Sequence, residues 1–210
     1  MKPALSHRLR SETKVAHAAA ERSGIMRTLL RGAVTRAAYV ALLHNLAALY
    51  SALEAELVRH HADPALAQVD WRILRRVPAL QHDIACFDWQ SPVAICPATA
   101  AYVERIHELG ATEPSLLFAH AYLRYLGDLY GGQIIQGIIK KTFSEGSCAT
   151  SFYEFTDIGN INEFKIFFRE AIDAIPEGSV SPDALVAEAR LGYELHKQIF
   201  SELEATAPKG

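Results

Sequence analysis

Cysteine is scarce in this 210-residue chain. Its three copies, Cys86, Cys96 and Cys148, show no CxxC or CxxCH spacing, which argues against a zinc site, a thioredoxin-type dithiol or a covalently attached c-type cofactor. They are expected as the reduced thiols of a cytoplasmic protein. Positive charge is short as well: 21 Lys and Arg face 24 Asp and Glu, a net charge of -3. No nucleic acid is therefore expected as partner, and an anionic ligand has to find a local basic cluster. Long apolar runs are missing. The most apolar stretch, Tyr39 to Leu57, is broken by His44, Asn45, Ser51 and Glu54, and the terminal SELEATAPKG is polar, so no membrane anchor is expected. The opening MKPALSHRLRSETK lacks the apolar core and small-residue cleavage site of a secretory leader. Hairpin signals are absent too, with no Asn-Gly or Asp-Gly pair and no sustained Val/Ile/Thr alternation.

What is present is helical periodicity. Half of the residues are hydrophobic, 50%, and they recur at spacings of three and four almost throughout. The expected fold is all-α, one helical-bundle domain over 1–210 with its ordered core from about 5 to 203. The pattern predicts a helix from about Leu5 to Ser23, a short one ending near Gly32, and a long one capped by Thr35 and running to about Arg59. Pro64, Pro78, Pro92 and Pro97 divide the next segment into short helices around Trp71–Arg76 and Ala79–Phe87. Further helices are expected over Thr99–Leu109, from Pro114 to about Phe143, from Asn160 (with Glu163 as a capping-box partner) to Ile175, and from Ser181-Pro182 onward.

The stretch HAYLRYLGDLYGGQIIQG is anomalous. Gly127, Gly131, Gly132 and Gly137 interrupt a strong helix former. An interior glycine costs ~1 kcal/mol relative to alanine, so the group gives up roughly 3 to 4 kcal/mol. Two readings fit: close packing of a second helix, or a kinked helix laid across a planar ligand, since Gly127 and Gly131 share a face. Asp128 and Arg124 favour the second, because a carboxylate on so apolar a helix needs hydrogen-bonding partners. His17 stands among Ala16, Ala18, Ala19 and Ala20, where no bulky neighbour bars a large ring from its imidazole. His120 shares the phase of Gly127 on a straight helix and competes as a ligand. Lys165 and Arg169, four apart, form a basic pair that is either solvated surface or the counter-charge of a dianionic ligand.

Two stretches carry a family resemblance. EPSLLFAHAYLRYLGDLYGGQ resembles the signature of the heme oxygenase family almost residue for residue, and TKVAHAAAE resembles the helix bearing its proximal histidine. The similarity runs in order from about Leu5 to Leu203. It implies a soluble, bacterial-type enzyme in which heme b (iron protoporphyrin IX), at once cofactor and substrate, lies between a proximal helix and a kinked Gly-rich distal helix. The heme is opened at a meso carbon, with O2 and an external electron donor, to biliverdin, CO and ferrous iron. A redox partner such as ferredoxin or an NAD(P)H-dependent reductase is implied. By position, the resemblance makes His17 the iron ligand and Glu21 a polar neighbour of that imidazole. Gly127, Gly131 and Gly132 become the distal glycines over the heme face, and Asp128 the carboxylate that holds distal water, with Tyr50, Arg124 and Tyr125 in its hydrogen-bond network. Arg10, Lys165, Arg169 and Tyr122 fall on the propionate side. Arg10 lies two turns before His17, ~10 Å along one face, about the span from a heme iron to its propionates. A neutral histidine leaves the iron able to bind and activate dioxygen, and Asp128 acting through water would relay protons.

Two positions depart from the family's pattern: Tyr130 stands where members carry a smaller residue, and His196 where asparagine is common. Both leave the regiochemistry open. Two other classes compete. A non-catalytic heme-binding carrier or sensor on the same fold would keep His17 and the glycines without needing Asp128, Tyr50 and Arg124. A thiaminase-like hydrolase needs a pocket cysteine nucleophile, and no cysteine stands in a matching context.

Overall fold

A computed structural model describes residues 3–206; residues 1–2 and 207–210, the tips of the charged start and the polar end, lie outside the described residues. The helices are α1 (Leu5–Glu21), α2 (Gly24–Leu30), α3 (Arg36–Arg59), α4 (Val77–Cys86), α5 (Pro97–Thr112), α6 (Leu117–Ala121), α7 (Gly127–Thr142), α8 (Ile161–Asp173) and α9 (Pro182–Thr206). Short 3-10 turns join several of them, and no strand occurs among the described residues. The all-α expectation holds, with most boundaries within a few residues.

Helix α3 is the central element. Thr35 accepts the N–H of Ala38 at 3.2 Å and starts it, and Tyr39, Leu43, Leu46, Tyr50, Leu53 and Leu57 are all buried along it. A helix apolar on so many sides must be surrounded, and α4, α5, α6 and α9 pack around it. Helix α9 also runs along α1 and α2. Gly24 makes the α2 contact possible: its φ is +42°, and a Cβ there would sit 1.9 Å from the carbonyl oxygen of Phe200.

The stretch expected as one helix from Pro114 to Phe143 is built from a 3-10 turn at Pro114–Leu116, α6, a π-turn at Tyr122–Leu126 and α7. The kink expected of the glycines is thus a widened turn just before them. A π-turn shifts the phase of everything after it, and such turns concentrate at functional sites.

The region between α7 and α8, read as a polar loop, is pinned from a distance. Asp83 on α4 is buried and accepts the N–H groups of Ser151 and Phe152, each at 2.9 Å. Arg76 donates to the carbonyls of Glu154 at 2.6 Å and Phe152 at 3.3 Å, and its guanidinium lies 4.1 Å from the centre of the Phe155 ring. Glu54 of α3 in turn accepts the N–H groups of Arg76 and Val77 and caps α4. Cys86 and Cys148 are joined in a disulfide across the same junction, which corrects the expectation of three reduced thiols; Cys96 is free and buried.

Candidate active site

A cleft open to solvent lies between α1 and α2 on one side and α7 on the other. His17, Ala20 and Glu21 line one side of it and Gly127, Asp128 and Gly131 the other. A methyl group placed on Gly127 or Gly131 would meet nothing within 4 Å. These two glycines therefore serve no helix packed against them, and they leave a bare strip of backbone facing the cleft. Gly132 differs from expectation. It does not line the cleft, and a Cβ there would press to 3.3 Å against Tyr153, so its lack of a side chain serves packing.

On the proximal side the His17 imidazole is 46% exposed, with Nε2 3.4 Å from a Glu21 carboxylate oxygen and the Tyr193 ring edge-on at 5.4 Å. The run of alanines around it leaves its approach open. His120, the competing ligand, is fully buried and committed elsewhere: Nδ1 is 2.8 Å from the Tyr102 hydroxyl, and Nε2 is 3.0 Å from Glu188. The π-turn between His120 and Gly127 breaks the shared phase that a straight helix would give them. Burial lowers the His120 pKa, against the opposing pull of Glu188.

The distal side is a closed network. Tyr50 donates to one Asp128 oxygen, and Arg124 donates from Nη2 to the other at 2.8 Å and from Nε to the Tyr50 hydroxyl at 3.2 Å. The third arm of Arg124, Nη1, lies 3.1 Å from His196 Nε2. Burial pushes the Asp128 carboxyl upward against the pull of Arg124 and Tyr50. Burial also works against the charge on Arg124, but Asp128 and Tyr50 outweigh it and the guanidinium stays charged. Tyr125 is not in this network. Its ring sits between Tyr50, at 5.7 Å, and Trp71, at 6.1 Å, and its buried hydroxyl has no partner among the described residues. It serves as a wall, because the π-turn that holds it aims its side chain into the aromatic core.

Arg10, Tyr122, Lys165 and Arg169 do not line the cleft. The last two gather on the departing residue Tyr130: the Lys165 ammonium lies 4.2 Å from its ring centre, and Arg169 donates to its hydroxyl. Tyr122 is held near Arg10 and Arg169, which offset part of the rise that burial gives its hydroxyl.

Several residues of the site escaped sequence reasoning, Phe152, Tyr193 and Phe200 among them. Phe152 lines the cleft and packs edge-on against Tyr50 at 5.5 Å. The aromatic pair Phe152-Tyr153 inside a polar stretch was the signal for it. Tyr193 and Phe200 extend the α9 face that begins the cleft's third wall with His196. Tyr193 stands three residues before His196 and seven before Phe200, a helical spacing that reads only as an ordinary buried stripe. Chemically, an accessible imidazole facing bare backbone across an apolar cleft, with a held carboxylate on the far side, fits a flat ring whose centre takes one nitrogen ligand and whose other face meets bound water.

Comparison with known proteins gives a consistent result. A family profile described as Heme oxygenase matches residues 3–202. Heme oxygenase 1 of Nostoc is 37% identical over 210 residues, covering 98% of this chain and 88% of that protein. Among solved structures, heme oxygenase-1 from Synechocystis in complex with heme superposes with a TM-score of 0.90 at 35% identity, covering 97% of this chain and 93% of that one. Heme oxygenase from Leptospira interrogans superposes at 0.89 with 34% identity, covering 95% and 100%.

Proposed function

From the premise that this chain belongs to the heme oxygenase family, a heme-degrading oxygenase by descent and by fold, we propose how its own residues do the work. His17 would bind the substrate's iron through Nε2, and Glu21, whose carboxylate lies 3.4 Å from that same nitrogen, would give up this contact as the iron takes it. Gly127 and Gly131 let the α7 backbone lie against the opposite heme face. Heme supplies both the iron that takes up O2 and the meso carbon that is oxidised. Asp128, held by Tyr50 and Arg124, orders water on that side and hands on protons through it without touching iron. Arg10, Tyr122, Lys165 and Arg169, which lie outside the cleft, would act on propionates that reach past its rim and so set the in-plane orientation. Ring burial and the Fe–N bond carry most of the affinity, because exposed ion pairs contribute only ~0 to 1 kcal/mol each.

The single observation that carries this reading is the pairing of the bare Gly127/Gly131 wall with a carboxylate already gripped by two partners. A carrier would have no use for the second. Electrons come from an external donor, a ferredoxin or an NAD(P)H-dependent reductase. No helix among the described residues is long and apolar enough to cross a membrane. The test is direct: hemin added to the purified protein gives a Soret band, and a reductant with O2 then converts it to biliverdin, identified chromatographically after one turnover. A Soret band that persists under reductant and O2 returns the protein to the carrier class.

A further inference from the structure

His196 holds the third arm of Arg124 and belongs to none of the roles above. Its surroundings fix where its proton sits. Nδ1 lies 2.8 Å from the carbonyl oxygen of Gly192, which can only accept, so Nδ1 carries the hydrogen. Nε2 lies 3.1 Å from Arg124 Nη1, which can only donate, so Nε2 presents its lone pair. The ring is 3% exposed. Gly192 brings α9 in close enough for this contact. A Cβ at that position would strike Leu123 Cδ2 at 2.4 Å and crowd His120 Nδ1 and the Tyr102 hydroxyl, both at 3.2 Å. Tyr102 in turn stands edge-on to the His196 ring at 5.0 Å, and Phe200 flanks it at 5.8 Å.

We propose that His196 is the positioning residue of the distal network: as the neutral, Nδ1-protonated imidazole it fixes the Arg124 guanidinium, and through it the Asp128 carboxylate, before heme arrives. The inference rests on the distal role given above to Asp128. The charged and titratable groups around the ring are Arg124 and, beyond it, Asp128 and Tyr50 on one side, with Tyr102, His120 and, behind His120, Glu188 and Arg105 on the other. Arg124 is the cation nearest the ring. A proton added at Nε2 would turn the acceptor into a donor facing a guanidinium that has no lone pair, so the arm would be released. Burial and the Arg124 charge both oppose that proton, in keeping with the geometry.

The test begins on the protein without heme. Long-range 1H–15N correlation on the imidazole is expected to give a protonated Nδ1 and an unprotonated Nε2, with no titration across the range in which surface imidazoles take up a proton. The signal of the Arg124 Nη1–H that faces His196 is expected to be resolved and slowly exchanging in the parent, broadened away in His196→Leu, and recovered in His196→Gln, whose amide oxygen can accept from Arg124. Heme affinity is expected to stay within ~3-fold in both variants, while single-turnover biliverdin formation falls ~10-fold or more in His196→Leu and is largely rescued in His196→Gln. An Nε2-protonated ring, ordinary titration of His196, or a parental Arg124 signal in His196→Leu overturns the proposal. Should Asp128→Ala turn over like the parent while the spectra come out as expected, the distal reading fails and the placement of Arg124 by His196 stands.

Discussion

The two sides of the cleft are built in opposite ways. On the distal side Asp128 and Arg124 are 9% and 11% exposed and, with Tyr50 and His196, hold one another through a closed set of hydrogen bonds. On the proximal side His17 is 46% exposed and has one polar neighbour at 3.4 Å. The difference follows from the role proposed for each. A group that organises water has to be in place before its ligand arrives, since preorganised dipoles need no rearrangement during reaction. An imidazole that binds iron takes its final orientation from the bond it makes, and needs chiefly an open approach.

The sharpest way to break this contrast is to remove the proximal nitrogen. His17→Ala is expected to abolish the normal Soret spectrum and to cut biliverdin formation at least ~100-fold, with partial recovery on adding imidazole, while the apoprotein keeps its stability because little packs on that side chain. His120→Ala is expected to do the reverse. It leaves Glu188 and Tyr102 without their buried partner, costing ~2 kcal/mol in urea unfolding, and leaves the Soret band in place. The opposite pattern would exchange the two histidines' roles.

On the distal side, Asp128→Ala is expected to bind heme within ~3-fold of the parent and to lose ~100-fold in biliverdin formation, the scale of general acid–base catalysis. Asp128→Asn, which keeps size and some hydrogen bonding, should lose less. Titration with hemin followed by one reductive turnover separates the two effects. Parental turnover in Asp128→Ala would leave the network without a catalytic purpose.

A third test concerns the buried pair behind His196. Burial would raise the Glu188 carboxyl, but His120 and Arg105 outweigh it and hold the pKa down to about 2. A depressed carboxylate contributes stability that is complete above its unfolded value and is lost as pH falls through the folded one. Glu188→Gln is therefore expected to lower unfolding stability at neutral pH by on the order of 2 kcal/mol. The gap between variant and parent then closes between pH ~4.5 and ~2. His120, lowered by burial, adds a further loss as pH drops below the ordinary histidine range. A gap that persists unchanged in acid would mean that packing, and not the carboxylate's charge, is what Glu188 supplies.

How much of this was legible in the sequence depends on the range of the interactions involved. The alanines around His17 and the helix cost of Gly127 and Gly131 are local facts, and both led to the cleft. Gly132 and Tyr125 were misplaced because their direction depends on the π-turn at Tyr122–Leu126, which periodicity cannot reveal. Phe152 was missed because its place is set by Asp83 and Arg76, about seventy residues earlier. The Cys86–Cys148 disulfide lacks any spacing signature for the same reason.

The smallest expected effect lies outside the cleft, at Tyr130, a half-exposed residue of α7. Lys165 and Arg169 are surface cations, and each is worth little in affinity. Tyr130 engages both from α7, the ring with Lys165 and the hydroxyl with Arg169. The pair is thereby tied to the same helix that carries Gly131 and Asp128, so the orientation of a bound ring and the position of the distal wall become linked. Reversing both charges with Lys165→Glu and Arg169→Glu is expected to weaken heme binding less than ~10-fold and to change the ratio of biliverdin isomers, read by chromatography. Tyr130→Ser frees the two cations while keeping their charge, and is expected to shift the same ratio by a smaller amount. Tyr130→Phe retains the ring contact, worth ~0.5 to 1 kcal/mol at an exposed site, and should fall between Ser and the parent. If the ratio is the same in all of these variants, the basic pair is ordinary solvated surface and the choice of meso carbon is made by the cleft walls alone.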